Sequence, residues 1–154
     1  MTGTVETALR ELGLALPDAP APAANYVPFV QTGSLLFVSG QLSRSPSGEE
    51  VIGTLGAGLT IAEGQRAAEI CALNILAQAK AAIGDLDRIV RVVRLNGFVN
   101  STADFTEQPQ VINGASNLFA SALGDKGRHT RCALGVIALP FGVAVEIDAV
   151  IEVA

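Results

Sequence analysis

The sequence predicts a two-layer α+β domain in which helices cover one face of a mostly antiparallel sheet. Three observations favour this class. The first five core elements follow the order strand, strand, helix, strand, helix; the first of these helices begins with a complete capping signal; and the last segment alternates like a strand with one buried face. With 154 residues, 49% of them hydrophobic, the chain is long enough to bury a single core.

The first elements are a short helix and an extended connector. Apolar residues recur at helical spacing between Thr4 and Leu12, and Gly13 is a plausible C-terminal cap. The next segment, 17–24, contains three prolines, which fix φ and remove backbone donors. We therefore expect an extended stretch there, followed by a hairpin of strands 26–31 and 35–39.

A long surface loop, 44–58, leads into the main helix. Thr60 and Glu63 form a T-x-x-E capping box, and an alanine-rich stripe continues to Gly84. Small side chains of this kind suit a helix that lies close to a sheet. Residues 89–99 are rich in β-formers, and residues 111–123 have the spacing of a second core helix.

The closing segments are predicted to pair with each other. Residues 131–139 and 143–153 read as strands separated by a turn at Pro140–Gly142, which indicates a terminal hairpin. The sheet face opposite the helices must also be hidden from water, and self-association is the obvious way to do so.

Composition excludes several function classes. The net charge of -5 arises from scattered charges, so nucleic-acid binding is disfavoured. No apolar stretch approaches the ~18 residues of a membrane helix, and residues 1–13 lack an apolar signal core, so we expect a soluble, cytoplasmic protein.

The few metal-binding and nucleophilic residue types are widely spaced. Cys71 and Cys132 form neither zinc-ligand spacing nor an evident disulfide framework, and we expect both to be small buried side chains. His129 is the one histidine, which we expect in a loop without a catalytic role.

Two charged residues interrupt apolar strands. Arg131 stands at the head of the strand R-C-A-L-G-V-I-A-L with no nearby partner; its head either lies in water, which the local pattern favours, or waits for a carboxylate ligand. Glu146 is either a solvated outer-face residue or a functional one. In the predicted hairpin it lies about 15 Å from Arg131 at ~3.3 Å per residue. If both serve one small ligand, the site should therefore lie between subunits.

Three motifs in order resemble the signatures of the RidA/YjgF imine-deaminase family. They are Y-V-P-F-V-Q-T-G at 26–33, V-S-G-Q at 38–41 and R-C-A-L-G-V-I-A-L-P-x-G-V-A-V-E-I-D-A-V at 131–150. The resemblance divides the chain into an extension, 1–24, and a family domain, 25–154. It implies a chorismate-mutase-like fold and a homotrimer whose sheets form a central barrel, with ligand clefts between subunits. It further implies hydrolysis of reactive 2-imino or enamino acids, such as 2-aminoacrylate, to 2-keto acids and ammonia without a cofactor or metal.

The resemblance also assigns roles to individual positions. Arg131 takes the place of the carboxylate-binding arginine and Glu146 that of the water-orienting glutamate. The expected substrate-binding positions are Phe29, Ser39, Gly40, Asn113 and Ala133. Among them, Gly40 supplies a backbone donor, Asn113 a pocket amide and Ala133 backbone contacts.

Two departures from the family pattern affect these expectations. Phe29 stands where many members are expected to carry a pocket tyrosine, so a phenol hydroxyl would be missing. Cys132 precedes the position of a frequent family cysteine, and strand alternation turns it to the other face, where we expect core packing.

Three functions follow as alternatives. They are imine hydrolysis, non-catalytic binding of a small 2-keto or aromatic acid, and the endoribonuclease or translation-inhibitor activity with which relatives are often labelled. The acidic balance and single histidine speak against the last.

Overall fold

The computed structural model describes residues 3–154 and confirms a mixed α+β fold. The helices and strands, in chain order, are α1 (Thr4–Glu11), β1 (Phe29–Thr32), β2 (Leu35–Leu42), β3 (Thr54–Leu55), β4 (Gly58–Leu59), α2 (Ile61–Ile83), β5 (Ile89–Asn100), α3 (Gln108–Leu123), β6 (Thr130–Val136) and β7 (Val145–Val153). Five strands form the main sheet in the order β1-β2-β7-β5-β6. All neighbours in it are antiparallel except β5 and β6, which are parallel.

Helix α2 begins and ends as the sequence predicts. The Thr60 amide donates to the Glu63 carboxylate at 2.7 Å, and the Glu63 amide donates to the Thr60 hydroxyl at 3.2 Å. The helix ends at Gly84, whose φ of 80° favours glycine. Its alanine stripe is fully buried together with one face of the sheet, so the small side chains bring helix and sheet close together.

The N-terminal helix α1 belongs to the same core. Val5 and Leu9 are only 6% and 1% exposed and join the apolar cluster formed by the sheet, α2 and α3. The Asp87 carboxylate accepts from the Thr4 and Val5 amides at 2.8 and 3.0 Å. The proline-rich connector is also attached, because the buried Gln78 amide donates to the Pro20 carbonyl at 2.6 Å.

The predicted terminal hairpin is wrong, because β5 lies between β6 and β7. Leu95 of β5 pairs with Arg131 on one side and with Ala149 on the other. The sequence β5-α3-β6 is a crossover unit, and such a unit places its two strands parallel and side by side. The connection 137–144 is long enough to pass over the end of β5, so its turn at Pro140–Gly142 does not make neighbours of the strands it joins.

The sheet has one face against the helices and one that no helix covers within residues 3–154, here called the open face. Buried residues of β7, such as Ile147, alternate with half-buried ones, such as Glu146 and Asp148, which lie on the open face. Large apolar side chains are exposed there, including Phe37 at 44% and Leu134 at 53%. The open face therefore has the composition of a surface that another molecule could cover.

The two cysteines differ in environment. Cys71 is buried in the core, as expected. The expectation of core packing for Cys132 is wrong, because β6 pairs it with Asn96 and so turns it to the open face. There its sulfur lies 3.0 Å from an Arg94 guanidinium nitrogen and remains half-buried.

Within residues 3–154, no helix is both long and apolar enough to cross a bilayer.

Candidate functional site

Arg131 lies on the edge strand β6 and points toward the helix side of the sheet. Its strand partner Leu95 is a core residue, and parallel partners point to the same face. One terminal nitrogen of the guanidinium donates to the Ser116 hydroxyl at 2.9 Å, and the other donates to the Pro109 carbonyl at 3.0 Å. Among the described residues, no carboxylate forms an ion pair with it. The half-buried positive charge is thus held by neutral groups alone.

Helix α3 brings the other residues of this cluster to Arg131. Pro109, Asn113 and Ser116 are spaced four and three residues apart, so they share one side of the helix. Ala133 follows Arg131 by two positions on β6 and points to the same side, where it packs against the core. We call Arg131, Asn113, Ser116 and Ala133 the arginine cluster.

Sequence reasoning missed the contribution of Ser116 and His129. The Nε2 atom of His129 lies 2.9 Å from the Ser116 hydroxyl, and its Nδ1 atom lies 2.6 Å from the Gly127 carbonyl. Burial lowers the pKa of His129, and the charge of Arg131 lowers it further against an opposing effect of the Gly127 carbonyl. The H-x-R spacing was a usable signal, because residues two apart in an extended chain point to the same side.

Glu146 lies on the open face of β7, between Leu42 of β2 and Phe98 of β5. Its carboxylate is half-buried and has no hydrogen-bond partner from residues 3–154. Burial raises the pKa of this carboxyl, and the negative charge of Asp148 raises it further. A carboxyl of this kind can exchange protons closer to neutral pH than an ordinary glutamate.

Gly40 lies in a β-bulge against Glu146. The register of β2 on β7 shifts between Val38 and Gln41, so two β2 residues stand opposite one residue of β7. A Cβ atom on Gly40 would lie 2.5 Å from a carboxylate oxygen of Glu146. Glycine is therefore required for the carboxylate to occupy this place beside the β2 backbone.

The other two residues predicted on this side have structural contacts. The Ser39 hydroxyl donates to the Val27 carbonyl at 2.8 Å, which holds the segment before β1 against β2. Phe29 packs against the core. These contacts place neither side chain beside Arg131 or Glu146.

A cavity of about 410 Å³ opens beside Gly40, between α2 and the proline-rich connector. Its walls include Pro22, Tyr26 and Phe141. Tyr26 lines the cavity next to Gly40 and Phe29 does not, so a tyrosine side chain is present near this position. At the rim, the guanidinium carbon of Arg44 lies 5.2 Å from the centre of the Phe141 ring.

Within one chain, the arginine cluster lies far from Gly40 and Glu146. Arg131 stands opposite Leu95 and Glu146 opposite Phe98, on strands to either side of β5. Their backbones are therefore about 14 Å apart for ~3.3 Å per residue and ~4.8 Å per strand. The two side chains also point to opposite faces, so one small ligand cannot touch both within one chain.

Within the part of the chain that the structure describes, no group of three or more His, Cys, Asp or Glu side chains is arranged to hold a metal ion.

Comparison with known proteins agrees with this architecture. Residues 6–148 match the family model described as YjgF/chorismate mutase-like, putative endoribonuclease. Protein TCP17 of Trypanosoma cruzi is 55% identical over 152 residues, covering 98% of this chain and 95% of that protein.

Two solved structures superpose over nearly the whole chain. The protein Atu1372 of Agrobacterium tumefaciens is 54% identical, with a TM-score of 0.92, covering 98% of this chain and 93% of that one. A Shewanella oneidensis protein described as a putative endoribonuclease is 34% identical, with a TM-score of 0.93, covering 98% and 100%.

The fold and the matched residues define a protein of the YjgF/chorismate-mutase-like class. The chain belongs to the RidA/YjgF family.

Proposed function

We propose that this protein hydrolyses reactive 2-imino and enamino acids to 2-keto acids and ammonia, in clefts between the subunits of a homotrimer. One observation carries the proposal: the half-buried guanidinium of Arg131 is oriented by neutral groups and lacks a carboxylate partner among residues 3–154.

The hydrogen bonds of Arg131 leave room for a ligand. A guanidinium has five N–H donors, and Ser116 and Pro109 accept from two of them. The remaining donors can grip a carboxylate with two parallel hydrogen bonds, which is the geometry that arginine prefers. The acid group of a 2-imino acid supplies such a carboxylate together with the missing negative charge.

A second copy of the chain supplies the other half of the site. Arg131 lies on the edge strand β6, while Glu146 lies on the central strand β7 and Gly40 on its neighbour β2. The open face exposes Phe37 and Leu134, which association of copies would bury. In a cyclic trimer, Arg131 of each copy would face Gly40 and Glu146 of the next.

The chemistry needs only a positioned water and a proton acceptor. Glu146 takes a proton from water as the oxygen attacks the carbon of the protonated imine, which gives a neutral carbinolamine. Glu146 gives that proton to the amino nitrogen, the C–N bond breaks and ammonia leaves, and the hydroxyl proton passes to solvent as the C=O bond forms. The products are the 2-keto acid and ammonia. The raised pKa of Glu146 suits both transfers, and the Gly40 amide would donate to the ligand.

The cavity beside Gly40 would hold the substrate side chain. Its volume of about 410 Å³ and its apolar wall from Pro22 and Phe141 are suited to a larger group than the methylene of 2-aminoacrylate. We therefore expect imines of large apolar amino acids to be hydrolysed more efficiently than 2-aminoacrylate. The Tyr26 ring would contact that side chain.

The experiment is a coupled assay in which an amino-acid oxidase generates imines from a series of amino acids. Wild type should accelerate ammonia release, most for large apolar side chains. Arg131→Ala should abolish the acceleration, and Arg131→Lys, which keeps the charge but loses the fork, should restore little of it. Sedimentation should show a trimer in all three. Full activity in Arg131→Ala would overturn the proposal.

A second candidate is a non-catalytic protein that binds a small carboxylic acid. It is favoured by the separation of Glu146 from Arg131, because the arginine cluster could hold a carboxylate without any catalytic partner. Calorimetric binding of 2-ketobutyrate, with no faster ammonia release than buffer, would select it. RNA cleavage, which the descriptions of relatives suggest, is opposed by the net charge of -5.

A further inference from the structure

We infer that Ser116 and His129 are positioning residues, which aim the guanidinium of Arg131 at the substrate carboxylate through a directed chain of hydrogen bonds. This inference rests on the proposed function and adds two side chains that neither the sequence motifs nor the family resemblance singled out.

The partners fix the direction of every hydrogen bond in the chain. A carbonyl oxygen only accepts, so the Nδ1 atom of His129 carries the proton that bonds the Gly127 carbonyl at 2.6 Å. In the neutral ring, Nε2 is then an acceptor. A guanidinium only donates, so the Ser116 oxygen accepts from Arg131 at 2.9 Å, and the Ser116 hydroxyl donates to His129 Nε2, also at 2.9 Å. The chain therefore runs one way, from Arg131 through Ser116 and His129 to Gly127.

The surroundings hold the imidazole in this state. His129 is half-buried, and its ring meets Phe119 edge-on at 6.0 Å between centroids and 77° between planes. Burial disfavours the charged ring, and the charge of Arg131 does so too, against the opposing effect of the hydrogen bond to the Gly127 carbonyl. A neutral ring with Nδ1 protonated is the form that the chain requires.

The consequence for Arg131 is a guanidinium fixed at two points. Ser116 holds one terminal nitrogen, and the Pro109 carbonyl holds the other at 3.0 Å. Two contacts on different nitrogens define the plane of the group and reduce its rotational freedom before a ligand arrives. An arginine that merely kept its head in water would gain nothing from a hydroxyl that is itself oriented by a histidine.

Two matched pairs of variants test the role of the chain in binding. Ser116→Ala removes the hydroxyl and Ser116→Thr keeps it; His129→Leu removes the acceptor, and His129→Gln keeps one. We expect Ser116→Ala to weaken 2-ketobutyrate binding by about tenfold and to leave the trimer intact. Ser116→Thr should bind 2-ketobutyrate like wild type. In the imine assay Ser116→Ala should raise KM and change kcat little, because Arg131 holds the carboxylate in both the ground state and the transition state.

A spectroscopic measurement tests the chain itself. His129 is the one histidine in the sequence, so imidazole nitrogen signals report on it alone. They should show Nδ1 protonated at neutral pH, and Ser116→Ala should shift the Nε2 signal. The Arg131 side-chain N–H signals should exchange more slowly in wild type than in Ser116→Ala, whether or not a ligand binds.

The outcomes separate this inference from the proposed function. A wild-type protein that binds 2-ketobutyrate without accelerating imine hydrolysis would remove the proposed function, while weaker binding by Ser116→Ala would still support the positioning role. If wild type binds no 2-ketobutyrate, the side-chain signals of Arg131 and His129 still test whether the hydrogen-bonded chain orients the guanidinium. Equal binding by wild type and Ser116→Ala, or a ring protonated on Nε2, would overturn the inference.

Discussion

Substitution of Gly40 by alanine tests the geometry of the proposed base. A Cβ atom at this position would lie 2.5 Å from the nearer Glu146 carboxylate oxygen, well inside van der Waals contact. The backbone of Gly40 does not have a positive φ, so alanine brings no conformational strain of its own. The clash is with the mobile end of a half-buried side chain, so the carboxylate should give way rather than the strand.

The expected effect falls on catalysis more than on stability. Relief of the contact needs a movement of the carboxylate by about 1 Å, and such a misplacement can lower a rate by about a hundredfold. We therefore expect Gly40→Ala to reduce kcat by that order in the imine assay. The unfolding free energy should fall by less than about 1 kcal/mol, because the displaced group is partly solvated.

A double-mutant cycle provides the control. In a Glu146→Ala background there is no carboxylate to displace, so the small loss of unfolding free energy caused by Gly40→Ala should disappear. Binding of 2-ketobutyrate, which depends on Arg131, should change little in either variant. Wild-type kcat in Gly40→Ala, with Glu146 present, would show that catalysis does not depend on the position of the Glu146 carboxylate beside Gly40.

Three further predictions concern ionisation and folding. The acid limb of kcat/KM plotted against pH should lie at higher pH than for an ordinary glutamate, because activity requires ionised Glu146 and burial raises its pKa. Asp148→Asn should move this limb to lower pH, because the charge of Asp148 raises the pKa further. Glu146→Gln should abolish turnover yet raise Tm at pH 7, where burial penalises the ionised carboxylate; a lower Tm by calorimetry would contradict this. Thr60→Ala should lower the unfolding free energy by about 1 kcal/mol in denaturant titrations, and a change in kcat/KM would be unexpected.

Elements with local signals could be predicted from the sequence. The capping box of Thr60 and Glu63 gave the start of α2, and the alternation in β7 identified its buried face. Each of these signals depends on neighbours within a few residues. The sequence also indicated the hairpin of β1 and β2, although β1 starts at Phe29 rather than at residue 26 and β2 extends to Leu42.

Strand order could not be read in the same way. The turn at Pro140–Gly142 suggested that the strands on either side of it pair, whereas the β5-α3-β6 crossover inserts β5 between them. Both the turn residues and the strand-helix-strand order of β5, α3 and β6 were visible in the sequence. Pairing of β6 with β5 is what the crossover dictates, and the turn residues carry no information about which strand fills the gap.

The candidate site shows the same division. Arg131 and Glu146 were detectable as charges within apolar strands, and Gly40 through its motif. Ser116 was not, because its importance comes from a histidine across a loop. Tyr26 begins the first motif, but its place in a cavity walled by a distant helix was not visible in the sequence. Contacts of this kind depend on the packed structure rather than on spacing.

We propose that Arg131 and Glu146 act together only when they come from different copies of the chain. To test this, the inactive variants Arg131→Ala and Glu146→Ala are mixed, unfolded together and refolded. In a cyclic assembly with random mixing, about one quarter of the clefts would combine an intact Arg131 with an intact Glu146. We predict recovery of roughly that fraction of wild-type imine hydrolysis. No recovery from mixed trimers would mean that Arg131 and Glu146 do not combine across subunits.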